Sequence, residues 1–314
     1  MCFTVTLTGS YRGAAAVASK WGSALDDSTV HALVQRVGQK AVTQQERRQQ
    51  QVPQERCPQR KPSELGVLLV DGWQVRQRGP GWGLQKTQQN RVEWHEMKMG
   101  VYYQVEQAGV KENGRGELVE KVVVSTLGEP LELDQRLHWE AQRAGLGRAR
   151  QLEVLGDGAA WIWHLQQERW AQAVAVLDFY HGSEHVWELG RTLCGETKAQ
   201  AWVKPLLHQL RHGQEKKALK KIAGLSAPKG LRGQTVRREQ NYFAGHEQRM
   251  SYQRIADRGW PIGSGAVESA CRQRQCRFKG SGQFWTAPGL VHLCALEEAR
   301  QNHHWEELWT PDKP

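Results

Sequence analysis

The sequence contains no long apolar run, and this absence excludes a protein that crosses a membrane with a helix. Nowhere in the 314 residues does a stretch approach the ~18 consecutive apolar residues that a membrane-spanning helix requires. The beginning of the chain also lacks the basic region, apolar core and cleavage site of a secretory signal. We therefore expect a cytoplasmic protein with no membrane partner.

Cysteine is scarce and scattered. The six cysteines form no C-x-x-C pair, a pattern that indicates reduced thiols rather than a disulfide framework. Cys271, Cys276 and His292 do not have the ligand spacing of a standard zinc site. A zinc-binding structural module is therefore a poor alternative for this protein.

The sequence is instead rich in positive charge and in tryptophan. Lysine and arginine outnumber aspartate and glutamate by 43 to 33, which gives a formal net charge of +10 at pH 7. A basic surface favours an acidic polymer such as nucleic acid, although a basic protein with a solvated surface is the alternative. The 14 tryptophans could stack on bases, but a core position is the expectation for most of them.

Two helical patterns near the amino terminus, 11–22 and 28–38, predict a helical hairpin in which Asp27 or Ser28 caps the second helix. The arrangement resembles a DNA-binding helix-turn-helix, and an ordinary hairpin fits the pattern as well. The residues that the second helix would direct outward are His31 and Arg36. The Gln- and Arg-rich stretch 40–62 predicts an exposed helix that runs into a linker.

Strand patterns begin at residue 66. The apolar run and the alternation of 66–76 predict a buried strand that ends near Asp71. Further strands are predicted over 92–105, 117–127, 151–158 and 173–181, and helices over 129–145 and 159–170. The first three strands form a meander, and the fourth places Asp157 at its end. The predicted fold class is α/β, with a mixed α+β sheet of five strands flanked by helices.

The remaining sequence predicts an all-helical insertion and a closing segment. No strand pattern interrupts the insertion, which is rich in Leu, Lys, Gln and Arg. After it, Gly263 and Gly265 permit a sharp turn into a helix that carries Glu268 in its first turns. The sequence thus predicts four divisions. Residues 1–62 form a helical segment with a linker, 63–182 the first part of the core, 183–257 the insertion and 258–314 the second part of the core.

Three acidic residues occupy positions that suit a two-metal nuclease. Asp71 and Asp157 are predicted at strand ends and Glu268 on a later helix, and rigid elements can fix the oxygen ligands that Mg²⁺ or Mn²⁺ prefers. Two ions about 3.5 to 4 Å apart would stabilise the attacking and the leaving oxygen of an in-line displacement. Each acid also has a structural explanation, because Asp-Gly is a common turn dipeptide and the helix dipole favours an acid in the first turn.

Five ordered blocks carry a more specific pattern. They are VLLVDGWQVR, VLGDGAAWIWHL, VLDFYHGSEHVWELG, WPIGSGAVESACRQRQCRFKGSGQFW and NHHWEELW. With these blocks, 66–310 resembles bacterial insertion-sequence transposases of the DDE class, which have an RNase H-like fold and a helical insertion before the last acid. The resemblance implies that Asp71, Asp157 and Glu268 are the catalytic acids and hold two Mg²⁺ or Mn²⁺ ions. It also implies terminal inverted repeats and target DNA as partners, a homodimer or larger complex on DNA, and a nucleoid-associated location.

Other residues in these blocks gain candidate roles by position. Asp178 and His181 could orient the acids, with Asp178 as the alternative second acid and His181 equally explained as structural. Lys98 on the second strand could reach phosphate. Four basic residues after Glu268 could follow the phosphates of a DNA end, or could form a solvated basic face. They are Arg272, Arg274, Arg277 and Lys279.

Two competing functions stay open. The resemblance is weakest over 1–60, where such transposases usually have a longer region for recognising element ends, so one alternative is an inactive, truncated or repurposed copy that only binds DNA. Another RNase H-like nuclease, acting on RNA–DNA hybrids or junctions, is the second alternative, because a fold does not fix a function. Metal-dependent nicking would separate the first alternative from a transposase, and substrate competition would separate the second.

Overall fold

The structure is a computed structural model of the chain. It describes residues 1–50, 62–83, 90–110, 112, 116–146 and 148–310. Within these residues, strands β1 to β7 are Ser63–Arg78, Val92–Gln104, Ala108–Val110, Gly116–Leu118, Val122–Thr126, Ala149–Gly156 and Val174–Leu177. Five of the strands form one sheet in the order β5-β2-β1-β6-β7, and β3 pairs with β4.

Helices make up most of the remaining described chain. In order, α1 to α12 are Cys2–Thr8, Tyr11–Lys20, Asp27–Gln50, Pro130–Arg143, Ala160–Arg169, Phe179–Cys194, Glu196–Arg211, Glu215–Ala223, Leu231–His246, Tyr252–Ala256, Gly265–Phe278 and Ala287–Gln301. The strands of the large sheet and the helices between them follow the predicted order β-β-β-α-β-α-β. The prediction of a mixed five-stranded sheet with flanking helices is therefore confirmed.

The chain divides into two compact units. Unit 1 contains Met1–Pro62, Asp71–Arg148 and Ala266–Pro314, and unit 2 contains Ser63–Val70 and Ala149–Gly265. Helix α3 packs against α12 and α2. Because of this packing, the amino-terminal helices share a core with the closing segment. The predicted domain boundary near residue 62 stays a prediction.

The strands of unit 2 are parallel. The first half of β1 pairs with β6 over Ser63–Val70, and β6 pairs with β7 over Glu153–Gly156. All four residues of the apolar run at 67–70 are buried. Continuous apolar runs are typical of parallel strands because such strands are covered on both faces.

The segment predicted to be an insertion is helical. Residues 183–257 are all described, and they contain helices and connecting turns but no strand. Helices α6 and α7 pack closely, because Gly190 leaves room for the side chain of Val203 where a Cβ would otherwise lie. The insertion therefore has apolar contacts of its own inside unit 2.

In unit 1, helix α4 covers the antiparallel pair β2 and β5. Its buried Leu133, Leu137 and Ala141 have the predicted helical spacing, whereas Leu131 is exposed. The side chain of Leu137 fills the space that a Cβ on Gly100 of β2 would occupy. The helix can approach the sheet closely only because that position carries no side chain.

Side chains of the last helix and of the turn after it protect β5, which is the last strand on its side of the sheet. Val123 N–H donates a hydrogen bond to Asn302 Oδ1, and Asn302 Nδ2 donates to Val123 O, both at 2.9 Å. Ser125 N–H donates to Glu298 Oε1 at 2.7 Å. Polar side chains thus form hydrogen bonds with backbone groups of β5. At an open sheet edge, such groups would be available to pair with a strand of another molecule.

The predicted cap of α3 is wrong by one residue or two. Thr29 N–H donates to Asp26 Oδ1 at 2.6 Å, and the Ser28 hydroxyl donates to the same oxygen at 3.0 Å. Asp26 therefore satisfies the first backbone donors of the helix, and Asp27 is already helical. The start of α3 is hard to assign from the sequence, because several adjacent residues can all act as helix caps.

The second half of α3 is not the exposed helix that its composition predicts. His31 and Arg36 are exposed as expected, but Ala41 and Gln44 are buried. Packing against α12 covers this face of the helix. The predicted linker includes residues 51–61, which lie outside the described residues.

The predicted end of the first strand near Asp71 is also wrong. Strand β1 continues to Arg78, so Asp71 and Gly72 lie inside a strand and not in a turn. Alternation continues beyond them, because Trp73 and Val75 are both buried. A Cβ on Gly72 would lie 2.7 Å from Glu96 Oε1, so the glycine is explained by a close side-chain approach.

Buried and exposed tryptophans both occur. Trp73, Trp163 and Trp285 are core residues as expected, whereas Trp21, Trp94 and Trp309 are exposed. The cysteines that the structure describes are free thiols, and Cys57 lies outside the described residues. No helix in the described part of the chain combines the length and the apolar character needed to cross a membrane.

Candidate functional site

Asp71 and Asp157 come directly after paired residues of neighbouring parallel strands. Val70 of β1 pairs with Gly156 of β6, and the two aspartates are the next residues of the chain in each case. Asp157 follows the last residue of β6 as predicted, whereas Asp71 lies within β1. Both aspartates are half-buried.

The backbone around Asp157 is held by its own side chain and by α9. Asp157 Oδ1 accepts a hydrogen bond from Ala159 N–H at 2.9 Å, just before α5. The hydroxyl of Tyr242 in α9 donates to the carbonyl oxygen of Asp157 at 3.0 Å. Gly158, with φ of 105°, has a conformation that favours glycine, and a Cβ there would lie 2.9 Å from Tyr242 Cε2. The end of β6 is therefore fixed from two sides.

Tyr242 belongs to a stack of aromatic and histidine side chains on α6 and α9. Its ring lies over the imidazole of His185, with centroids 3.7 Å apart and an interplanar angle of 17°. His185 Nδ1 is 2.5 Å from Glu239 Oε2, and its Nε2 is 3.3 Å from His181 Nε2. A continuous series of contacts runs from buried Glu239 through His185 and Tyr242 to the Asp157 carbonyl.

Burial and hydrogen bonding set the charges in this stack. Burial raises the pKa of Glu239, but hydrogen bonds from His185 and Arg238 outweigh it and hold that pKa below its usual value. Burial raises the pKa of Tyr242, so its hydroxyl stays protonated and can donate. Burial lowers the pKa of His246 to about 4, so the imidazole beside Tyr242 is neutral at pH 7.

Asp178 uses both of its carboxylate oxygens within unit 2. Oδ1 accepts from His181 N–H at 2.7 Å and caps α6, and Oδ2 accepts from Ser264 N–H. Nearby, Phe179 N–H donates to the carbonyl of Ile262 at 2.9 Å. Asp178 is completely buried. Its two sets of hydrogen bonds explain this burial, because the side chain caps α6 and connects the 262–264 loop to the end of β7. Its role as an alternative second acid stays a prediction.

Glu268 lies in the first turn of α11, as predicted, and its side chain is exposed. The chain before this helix passes close to an aromatic ring, because a Cβ on Gly263 would lie 2.6 Å from Tyr180 Cε2. Gly263 is thus explained by close approach. Gly265 is the first residue of the helix.

The four basic residues after Glu268 do not share one face. Arg272 is exposed, Arg274 and Arg277 are only 2% and 8% exposed, and Lys279 follows the end of α11. Residues two apart on a helix point in nearly opposite directions, which separates Arg272 from Arg274. A solvated basic face requires exposed arginines, so that alternative is wrong for Arg274 and Arg277. The phosphate contacts of the four basic residues stay a prediction.

Lys98 is largely enclosed by its neighbours. Its Nζ donates to the carbonyl of Gly128 at 3.2 Å and lies 3.4 Å from Glu96 Oε2. Its side chain is 13% exposed. A contact between Lys98 and phosphate stays a prediction.

The predicted acids have the donor chemistry that a divalent cation requires. Carboxylate oxygens are the ligands that Mg²⁺ and Mn²⁺ prefer, and Asp71, Asp157 and Glu268 all keep some solvent exposure. Within the described ranges, no group of three His, Cys, Asp or Glu side chains is arranged so that it could hold a metal ion. The two-ion site therefore stays a prediction.

Three residues of the α6–α9 stack were not found from the sequence, namely His185, Glu239 and Tyr242. His185 and Glu239 are 54 residues apart, and no spacing rule connects positions on separate helices of an insertion. One signal was available, because His181 and His185 have the i, i+4 spacing of one helix face.

Removing the Tyr242 hydroxyl should weaken the anchoring of Asp157. In Tyr242→Phe, the Asp157 carbonyl loses its 3.0 Å donor, and we expect the free energy of unfolding to fall by about 0.5–1.5 kcal/mol. Urea denaturation monitored by tryptophan fluorescence measures this change. The control is Tyr180→Phe, at a side chain that is 63% exposed, for which a change within about 0.5 kcal/mol is expected. Equal stability of the two variants would contradict the anchoring role.

Comparison with protein-family models and with curated proteins gives no match for this chain. The resemblance to DDE transposases therefore rests on the sequence blocks alone.

Proposed function

We propose that this chain is a DNA transposase of the DDE class with an RNase H-like core. In this proposal, Asp71, Asp157 and Glu268 hold two Mg²⁺ or Mn²⁺ ions, and the substrates are element ends and target DNA. Water attacks a phosphodiester at an element end, and the leaving 3′-oxygen takes up a proton. The freed 3′-hydroxyl then attacks a target phosphodiester, so that one P–O bond forms and another breaks.

The observation that carries the proposal is the pairing of Val70 with Gly156. Asp71 and Asp157 are therefore the residues that directly follow a paired position of two parallel strands. Carboxylates fixed by rigid strands suit a site for divalent cations. The β-β-β-α-β-α-β order and the helical insertion before Glu268 agree with the resemblance and lend it further support.

The protein's own residues have separable tasks in this proposal. When bound, the cations would stabilise the charge that develops on the attacking and leaving oxygens. Tyr242 and Gly158 fix the backbone that carries Asp157. Helix α11 carries Glu268 in its first turn.

Replacing Asp157 tests the proposal directly. We expect purified protein to nick a plasmid that carries the DNA flanking its gene, only when Mg²⁺ or Mn²⁺ is present. Asp157→Asn should nick at least tenfold more slowly, because an amide replaces a charged metal ligand. Asp257→Asn, at an exposed aspartate on a helix end, is the matched control and should nick at the wild-type rate.

The outcomes separate the competing functions. DNA binding without metal-dependent nicking would overturn the transposase proposal in favour of a protein that only binds DNA. Nicking that an RNA–DNA hybrid competes away, and that does not depend on the flanking DNA, would favour another nuclease of this fold class. Equal nicking by Asp157→Asn and wild type would reject the assigned acids.

A further inference from the structure

Two arginines of α11 are buried with incomplete hydrogen bonding. Arg274 is 2% exposed, and its Nη2 donates to Gln301 Oε1 at 2.9 Å, but its Nε and Nη1 have no partner among the described residues. Arg277 is 8% exposed, and its Nε and Nη2 likewise find no partner in the described part of the chain. Burying charged donors without acceptors is costly.

Both arginines line a cavity of about 480 Å³ within unit 1. Helices α11 and α12 and the end of α1 with Gly9 form its walls. Arg272 and Arg300 also line it; Arg272 is exposed, so the cavity has a cationic group that solvent can reach. Its volume lies in the range of small-ligand sites, roughly 300–1,000 Å³.

The cavity has a strong excess of positive charge. Its lining includes four arginines, and Glu297 is the one acidic residue among the described residues that line it. Glu297 Oε2 already accepts from Arg300 Nη2 at 3.0 Å. Burial lowers the pKa of Arg277, although Tyr11, Glu297 and Cys294 oppose the shift. The electrostatics of the cavity therefore favour an anion carrying more than one charge.

We propose that this cavity binds a phosphate group, with Arg277 in its wall as the internal donor and Arg272 at its exposed side. Guanidinium groups suit phosphate because their N–H bonds can donate in parallel to two of its oxygens. A DNA strand and a free phosphate compound both present this chemistry. The inference is independent of the cleavage reaction, because binding at this cavity requires none of the three predicted metal ligands.

Titration with pyrophosphate tests the proposal on the full chain. We expect saturable binding at constant ionic strength in chloride buffer, measured by calorimetry and by a rise in the melting temperature. Arg272→Gln should weaken pyrophosphate binding at least tenfold, and this exposed position is chosen so that the variant folds. Arg254→Gln changes an exposed arginine of α10 that is not among the residues lining the cavity, and this variant should bind pyrophosphate as wild type does.

A second variant gives an independent measurement. Arg277→Met should weaken pyrophosphate binding at least tenfold. Its melting temperature without phosphate is the folding control, because the guanidinium also packs over the rings of Tyr11, Phe278 and Trp285. Unchanged pyrophosphate affinity in this variant would overturn the proposal. So would the absence of pyrophosphate binding by wild type at millimolar concentration, or wild-type affinity in Arg272→Gln.

Competition identifies the source of the phosphate. A short duplex that displaces pyrophosphate from wild type supports a DNA phosphate in the cavity. Pyrophosphate that stays bound when the duplex is present supports a free phosphate compound. Because these measurements need no nicking, failure of the cleavage assay leaves their result unchanged.

Discussion

Glu298→Ala should destabilise the protein by about 3–5 kcal/mol, the range expected when one partner of a buried ion pair is removed. Glu298 is 2% exposed. Its Oε1 accepts hydrogen bonds from Ser125 N–H at 2.7 Å and from the Ser125 hydroxyl at 2.6 Å. Its Oε2 lies 2.5 Å from Nη2 of Arg136, whose side chain is 13% exposed. Alanine would leave a nearly buried cation and a strand-edge N–H without these acceptors.

Urea denaturation compares Glu298→Ala with a control at the same arginine. Glu132 also pairs with Arg136, at 3.7 Å, but its side chain is 48% exposed. Glu132→Ala should therefore cost no more than about 1 kcal/mol. Similar losses in the two variants would mean that burial of Glu298 does not determine its contribution. Glu298→Gln, which keeps an acceptor oxygen but not the charge, should lie between wild type and the alanine variant.

Glu153 should make stability depend strongly on pH. It lies in the middle of β6, pairs with Val67 and Val174 on the neighbouring strands, and is completely buried. Neither carboxyl oxygen has a hydrogen-bond partner among the described residues, and burial raises its pKa to about 8. The folded protein thus retains a proton that the unfolded chain releases above its ordinary pKa of about 4.5. Stability should fall as pH rises between these two values.

The isosteric variant Glu153→Gln should remove this pH dependence. Because it stays neutral, it should match wild type within about 1 kcal/mol at pH 5 and exceed it by about 4 kcal/mol at pH 8. Denaturation curves at both pH values measure the difference. Glu64→Gln, at a 65% exposed side chain of β1 that pairs with Arg150, serves as the control and should not show this gain. Parallel pH profiles for wild type and Glu153→Gln would reject a protonated Glu153.

Periodicity was sufficient to predict the layout of strands and helices. The alternation and apolar runs predicted every strand of the large sheet, the helices between those strands and the helical insertion. The local signal at Asp71-Gly72 gave a wrong end for β1, because strand pairing overrides the turn preference of an Asp-Gly dipeptide. Gly72 is explained instead by the approach of Glu96, which lies on another strand.

The position of the candidate acids was also partly accessible from the sequence. Asp157 at a strand end and Glu268 in a first helical turn agree with the predictions. The hydrogen bond from Tyr242 to Asp157 could not be predicted, because it joins residues 85 positions apart. No local pattern specifies which face of α9 meets the end of β6.

The sequence by itself determined the order of elements, the net positive charge and the positions of the acids along the chain, since these depend on composition and short-range periodicity. Only the tertiary structure decided which charges are buried. Arginine and glutamate usually lie at the surface. Neighbouring elements nevertheless cover Arg274, Arg277, Glu298 and Glu153. Whether a charged side chain meets water, a partner or an empty cavity depends on contacts between segments distant in sequence, and those contacts are made only when the chain folds.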